Sequence, residues 1–213
     1  MELQQFGWNA VTIGLLGTIL FGFVEAWGLW EQKREIWRQR SGQSLSATWI
    51  IYGACLMTAG VLYGLSKSSI ALIVGSGLPG LMHIPILIGL GKFKGFTKRQ
   101  RVLLGSLIAA LALMAVLPHK DWFFLLLAFG SIGSSAMQPI EMWKNKSAGV
   151  VAVKLIGAYL LGTAFWVLYA FAIGDWVLMI ICPAYLVILT ASLCLWAKYR
   201  NGSTRLTMNS ARA

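Results

Sequence analysis

Residues 32–72, QKREIWRQRSGQSLSATWIIYGACLMTAGVLYGLSKSSIAL, reappear as residues 138–178, QPIEMWKNKSAGVVAVKLIGAYLLGTAFWVLYAFAIGDWVL, at a constant offset of 106 with no gap. Gln32, Glu35, Trp37 and Ser41 recur as Gln138, Glu141, Trp143 and Ser147, and Val61, Leu62 and Tyr63 recur as Val167, Leu168 and Tyr169. Basic and amide positions match as well: Arg38 with Lys144, Gln39 with Asn145, Arg40 with Lys146. Each copy opens on a polar, basic segment and runs into a long apolar one, so the duplicated unit is a piece of a membrane bundle. In duplicated membrane bundles the functional site lies at the seam between the copies.

The composition agrees. Of 213 residues, 58% are hydrophobic and 12% charged, which leaves too little polar surface for a soluble globule of this size. A hydrocarbon core needs about 20 apolar residues of helix, and seven stretches qualify: 7–30, 44–65, 69–91, 102–118, 121–143, 149–173 and 175–197. Unalternating apolar runs exclude barrel strands, and helices satisfy their own backbone groups where no water is present. Of the 18 Lys and Arg residues, 15 fall in segments 31–43, 92–101, 144–148 and 198–213. Lys67 and Lys120 fall on the opposite side, and Lys154 within a span, where its long stem can snorkel to the basic surface. Retention of positive charge inside predicts an outside N-terminus and a cytoplasmic C-terminus, in a plasma or bacterial inner membrane. The net charge of +11 is therefore read as topology and not as a nucleic-acid footprint. No cleavable leader is expected.

Parity explains the odd helix. Two three-helix units that begin on the same side require one crossing between them, and the span 102–118, plain Leu, Ala, Val and Met, supplies it. The expected organisation is 1–91 as the first repeat, 92–118 as basic loop and linker helix, 119–199 as the second repeat and 200–213 as a cytoplasmic tail. The fold class expected is all-α integral membrane, with seven transmembrane helices and two parallel three-helix repeats joined by the linker.

With these residues the chain resembles the PQ-loop and SWEET transporter superfamily. Glu31-Gln32 through Arg40-Ser41, followed by Ser44-Leu45-Ser46, and Met137-Gln138 through Lys146-Ser147 match the family's two Gln-led segments. The preceding Pro is absent from both copies, although Pro139 follows Gln138. The resemblance implies alternating access between the two bundles. The family's Asn pair on helices 3 and 7 is replaced here by the neighbourhoods of Ser76 and Cys182.

Candidate residues follow from what a carrier must do at mid-depth. Pro79, Pro139 and Pro183 each remove one helical hydrogen bond and serve as hinge candidates, as does Pro85. Gln32 and Gln138 are candidates for a gate at the inner surface. Ser76, His83, Trp49, Tyr52, Trp166 and Tyr185 are candidate solute contacts, by hydrogen bonding or ring stacking. Glu25, aligned by the repeat with Ser131, is the candidate for proton coupling, since an intramembrane carboxylate is costly unless used. Cys55, Cys182 and Cys194 all lie in spans and read as packing residues. No metal-ligand cluster, phosphate loop or nucleophile set is present in the sequence, so no enzyme activity, metal or cofactor is expected. The expected function is transport of a small polar solute, a sugar ahead of other classes. The alternatives are a proton-coupled amino-acid carrier and a seven-helix receptor or scaffold. The partners expected are that solute and the lipid bilayer, with no nucleic acid; homo-oligomerisation is left open.

Overall fold

With no water available in a bilayer, apolar segments of this length close their hydrogen bonds along themselves, and the computed structural model shows the result. It describes residues 2–41, 45–146 and 153–210, without the side chains of Leu3, Asn145, residues 153–155 and residues 200–210. Seven helices follow a short 3-10 turn, Glu2–Gln5: α1 (Ala10–Gln39), α2 (Ala47–Lys67), α3 (Ile70–Phe93), α4 (Lys98–Val116), α5 (Lys120–Asn145), α6 (Val153–Ile173) and α7 (Trp176–Ser210). All seven are long and apolar enough to cross a membrane.

Two helices outrun the expected spans. α1 continues to Gln39, so the segment from Gln32 onward is helix and not loop, and α7 continues to Ser210 through most of the expected tail. Hydropathy marks where a helix leaves lipid, not where it ends. Glu, Gln, Lys and Arg are good helix formers, and WEQKREIWRQ carries the hydrogen bonds onward. Ser147, at the end of the second Gln-led segment, lies outside the described residues, as do the Lys154 side chain and the start of the sixth expected span.

Within each repeat the third helix lies between the other two: α3 packs on α1 and α2, and α7 packs on α5 and α6. Across the repeats α1 packs on α6 and α2 on α5, a pairing that exchanges with itself when the two repeats are swapped. The six helices thus close a ring. α4 touches α2 and α5 and otherwise faces outward.

The backbone repeats as faithfully as the sequence. Arg40 and Lys146 both end helices in the left-handed conformation, each at φ 49°, and Ser68 (φ 52°) and Gly174 (φ 68°) do so at the next pair of joints. All four obey the offset of 106. Left-handed backbone is costly for any residue with a Cβ, by about 1–2 kcal/mol. Ser68 is exposed and joins the cap through its backbone N–H, which lies within reach of Gly64 O and Leu65 O. Ser68→Gly is therefore expected to stabilise the protein by about 1 kcal/mol, read as a higher midpoint of thermal unfolding in detergent.

The helices alternate in direction, so one face carries the starts of α1, α3, α5 and α7, and the other carries the basic segments; these are called the first face and the basic face. The main buried cluster draws on all seven helices, from Leu15 and Tyr63 to Met114, Phe124, Tyr169 and Val177. A second cluster, Leu29, Ile36, Ile50, Ile86 and Leu90 with Ala47, stays within the first bundle toward the basic face.

Candidate functional site

Ser69 and Asp175 occupy the same register of the repeat and do the same local work. Each closes a helix N-terminus whose amides have no partner of their own. Ser69 Oγ accepts from Leu72 N at 3.2 Å, and Asp175 Oδ1 accepts from Val177 N at 3.0 Å and Leu178 N at 3.1 Å. Six residues before each of these caps, α2 and α6 carry Tyr63 and Tyr169, both fully buried. Each tyrosine reaches across to the cap of the other bundle. Tyr63 Oη donates to the Asp175 carboxylate, at 2.8 Å from Oδ2 and 3.0 Å from Oδ1, and Tyr169 Oη lies 2.7 Å from Ser69 Oγ. The two contacts are images of one another under the repeat.

Their charge differs. Ser69 brings none, and the carboxylate on that side comes from Glu2, which accepts from Ser69 Oγ at 2.8 Å, from Ile70 N at 2.7 Å and from Tyr169 Oη. A third crossing contact, Lys67 Nζ to Asp121 Oδ1 at 2.9 Å, joins α2 to α5 at the half-exposed rim. These crossing contacts lie at the first face. At the basic face Trp37 Nε1 donates to Pro85 O at 3.1 Å, and Lys146 Nζ lies 3.3 Å from Tyr199 Oη, each contact within one bundle. Gln32 and Gln138 form no bridge there; neither has a hydrogen bond among the described residues, and Gln138 is exposed.

Along the seam, rings are set on glycines. Trp166 of α6 lies over Gly75 of α3, so close that a Cβ there would stand 2.9 Å from Cζ2, and Tyr52 of α2 lies equally close over Gly130 of α5. Trp166 corresponds through the repeat to Gly60, and the space left by that glycine receives the Ser76 hydroxyl, with Phe124 of α5 beside it. Cys182, the counterpart of Ser76, is buried on α7. Tyr185 on the same helix has a buried hydroxyl that faces Ser131 and Ser135 of α5 without closing a hydrogen bond.

Other expected residues fall elsewhere. His83 donates from Nδ1 to Pro79 O at 2.8 Å and turns Nε2 toward Gly53, inside the first bundle. Trp49 packs against the second cluster near the basic face. Pro79 and Pro85 lie inside α3, Pro139 inside α5 and Pro183 inside α7. Glu25 faces α6 across the seam, against Gly162 and close to Tyr159, and makes no hydrogen bond or ion pair among the described residues. Among the described residues no group of His, Cys, Asp and Glu is placed to hold a metal.

The tyrosine locks escape a reading of the sequence because Ser69 and Asp175 look like unrelated cap residues. The offset of 106, which pairs them, is the signal that finds them.

No family model matches the sequence, and no curated protein matches it. A solved structure does: a eukaryotic SWEET transporter at 3.7 Å resolution, similar over 90% of this chain and 97% of that one, with a TM-score of 0.67 and 12% identity. The fold is the SWEET fold. The likeness covers the seven-helix arrangement as a whole.

Proposed function

We propose that the chain is a membrane transporter that moves a small polar solute by alternating access between its two three-helix bundles. The observation that carries this reading is the pair of hydrogen-bonded locks that joins the two bundles at the first face. A carrier needs a seam of that kind, closed on one side by bonds that can break. On the positive-inside argument the first face is the outer one, and the conformation is closed outward.

The solute level is then the zone of Ser76, Gly60, Phe124, Trp166, Tyr52 and the unsatisfied Tyr185 hydroxyl. An orphaned buried hydroxyl in a native structure calls for a partner, and a solute hydroxyl fits it. Rings beside hydroxyls suit the apolar face and polar edge of a sugar, which puts sugars first. The test is uptake of labelled sugars, amino acids and vitamins into proteoliposomes. Accumulation above empty vesicles supports the reading, and binding without flux in all three classes replaces it with a receptor.

One observation favours a second reading, proton-coupled amino-acid transport: the carboxylate of Glu25 lies in the seam between α1 and α6 with no described partner. Glu25→Gln is expected to abolish the dependence of uptake on an imposed pH gradient and to leave downhill exchange within about threefold. Uptake that keeps its wild-type response to the gradient in that variant removes the coupling role.

A further inference from the structure

Asp175 does two things at once: it caps α7 and receives Tyr63 from the other bundle. Its counterpart Ser69 caps α3 and meets Tyr169, yet offers no charge. Glu2 lies on the turn before α1, far from both in sequence, and places one carboxylate oxygen on Ser69 Oγ and Tyr169 Oη and the other on the Ile70 amide. The group is buried, 4% exposed, in a position where an acid is tolerated only with hydrogen bonds of this kind. The Ile70 amide is the first of α3, so the helix dipole favours the same charge that Asp175 supplies on α7. The turn that carries Glu2 is tied to α1 by Gly7 N to Thr12 Oγ1 at 3.1 Å and by the Asn9 side chain, which accepts from Thr12 N at 2.9 Å.

We propose that Glu2 is the gate carboxylate of the first repeat, delivered by the segment before α1 in place of the acid that position 69 lacks. It travels with the first bundle, since α1 and α3 belong to it, and only its bond to Tyr169 breaks when the first face opens. The gate is then two tyrosine–carboxylate locks related by the repeat, one acid supplied from within the chain's duplicated unit and the other from outside it. This inference rests on the alternating-access reading.

The register makes a decisive exchange available. An Asp at position 69 stands where Asp175 stands in the second repeat, and makes Glu2 redundant. Spin labels at Leu65→Cys and Phe171→Cys, exposed residues at the ends of α2 and α6 that share one register, report the width of the first face. The three native cysteines are replaced by Ala, and distances are measured by pulsed electron spin resonance in liposomes. Glu2→Gln keeps the volume of the side chain, loses its charge and is expected to raise the long-distance population on the order of tenfold, as for loss of a hydrogen bond to a charged group. Glu2→Gln with Ser69→Asp is expected to return the distribution to that of the parent. Ser69→Asp alone sets two carboxylates against each other and is expected to widen it.

A Glu2→Gln distribution identical to the parent overturns the proposal, and so does widening that Ser69→Asp fails to reverse. Asp175→Asn measured beside them separates the two levels. If it widens the face while Glu2→Gln does not, the Glu2 role alone falls; if neither widens it, the gate reading falls too.

Discussion

Asp175→Asn protein is expected to open at the first face. Asn is as good a helix cap as Asp, so the amides of Val177 and Leu178 keep their acceptor and α7 keeps its start. What is lost is the charge that receives the Tyr63 hydroxyl, at 2.8 and 3.0 Å, in a site closed to water. A hydrogen bond to a charged group contributes about 1.5–3 kcal/mol, so the closed state should lose on the order of 10- to 100-fold in population relative to the open one. Tyr63→Phe removes the same bond from its other partner. Because both variants delete one interaction, the double variant should shift the distance distribution no further than either alone, the non-additive result of residues in direct contact. Two additive shifts would mean that the residues act separately.

The second large effect is expected at Gly14. A Cβ there would stand 2.8 Å from Tyr169 Cα, 2.9 Å from its Cβ and 3.0 Å from its N. These are backbone and near-backbone atoms, so no side-chain rotation relieves the clash, and α1 and α6 must separate. Gly14→Ala is expected to destabilise the protein by about 1–3 kcal/mol, as overpacking does elsewhere, and to lower the unfolding midpoint accordingly. Tyr169 moves with α6, so the lock on Ser69 and Glu2 should weaken in the same variant, and the labels at positions 65 and 171 should read a wider face. Gly157 is the control: nothing among the described residues lies within 4 Å of a Cβ at that position, and Ala there should be neutral or slightly stabilising in its helix. Equal loss at both positions would show that the close approach of Gly14 to Tyr169 does not decide the effect.

The architecture was legible because it rests on long-range regularities that a sequence carries openly. Seven apolar stretches and a gap-free repeat determine helix number, the two three-helix units and the need for a linker before any contact is known. Helix ends were less legible, since Trp30 to Gln39 is polar enough to leave lipid and still good enough to stay helical. Candidate contacts were legible only in part. Tyr52 and Trp166 lie over Gly130 and Gly75 of the opposite bundle, while Ser76 fills the space left by Gly60 within the first bundle, and that pairing of ring or hydroxyl with glycine across helices has no signature within either segment. His83 and Trp49 show the converse, polar or aromatic residues at the right depth that face inward within one bundle. Glu2 was least legible: a lone acid before the first span acquires meaning only when Ser69 and Tyr169 are seen beside it.

The left-handed joints carry one more consequence. Twenty-eight residues separate Arg40 from Ser68, and the same number separates Lys146 from Gly174, so α2 and α6 are struts of equal length hung between matched pivots. If the bundles alternate as proposed, equal struts swing through equal arcs, which keeps the two halves in step through a cycle. One residue inserted into either strut would rotate it by about 100° and put its tyrosine out of reach; the same insertion in α4 would leave both pivots and both locks where they are.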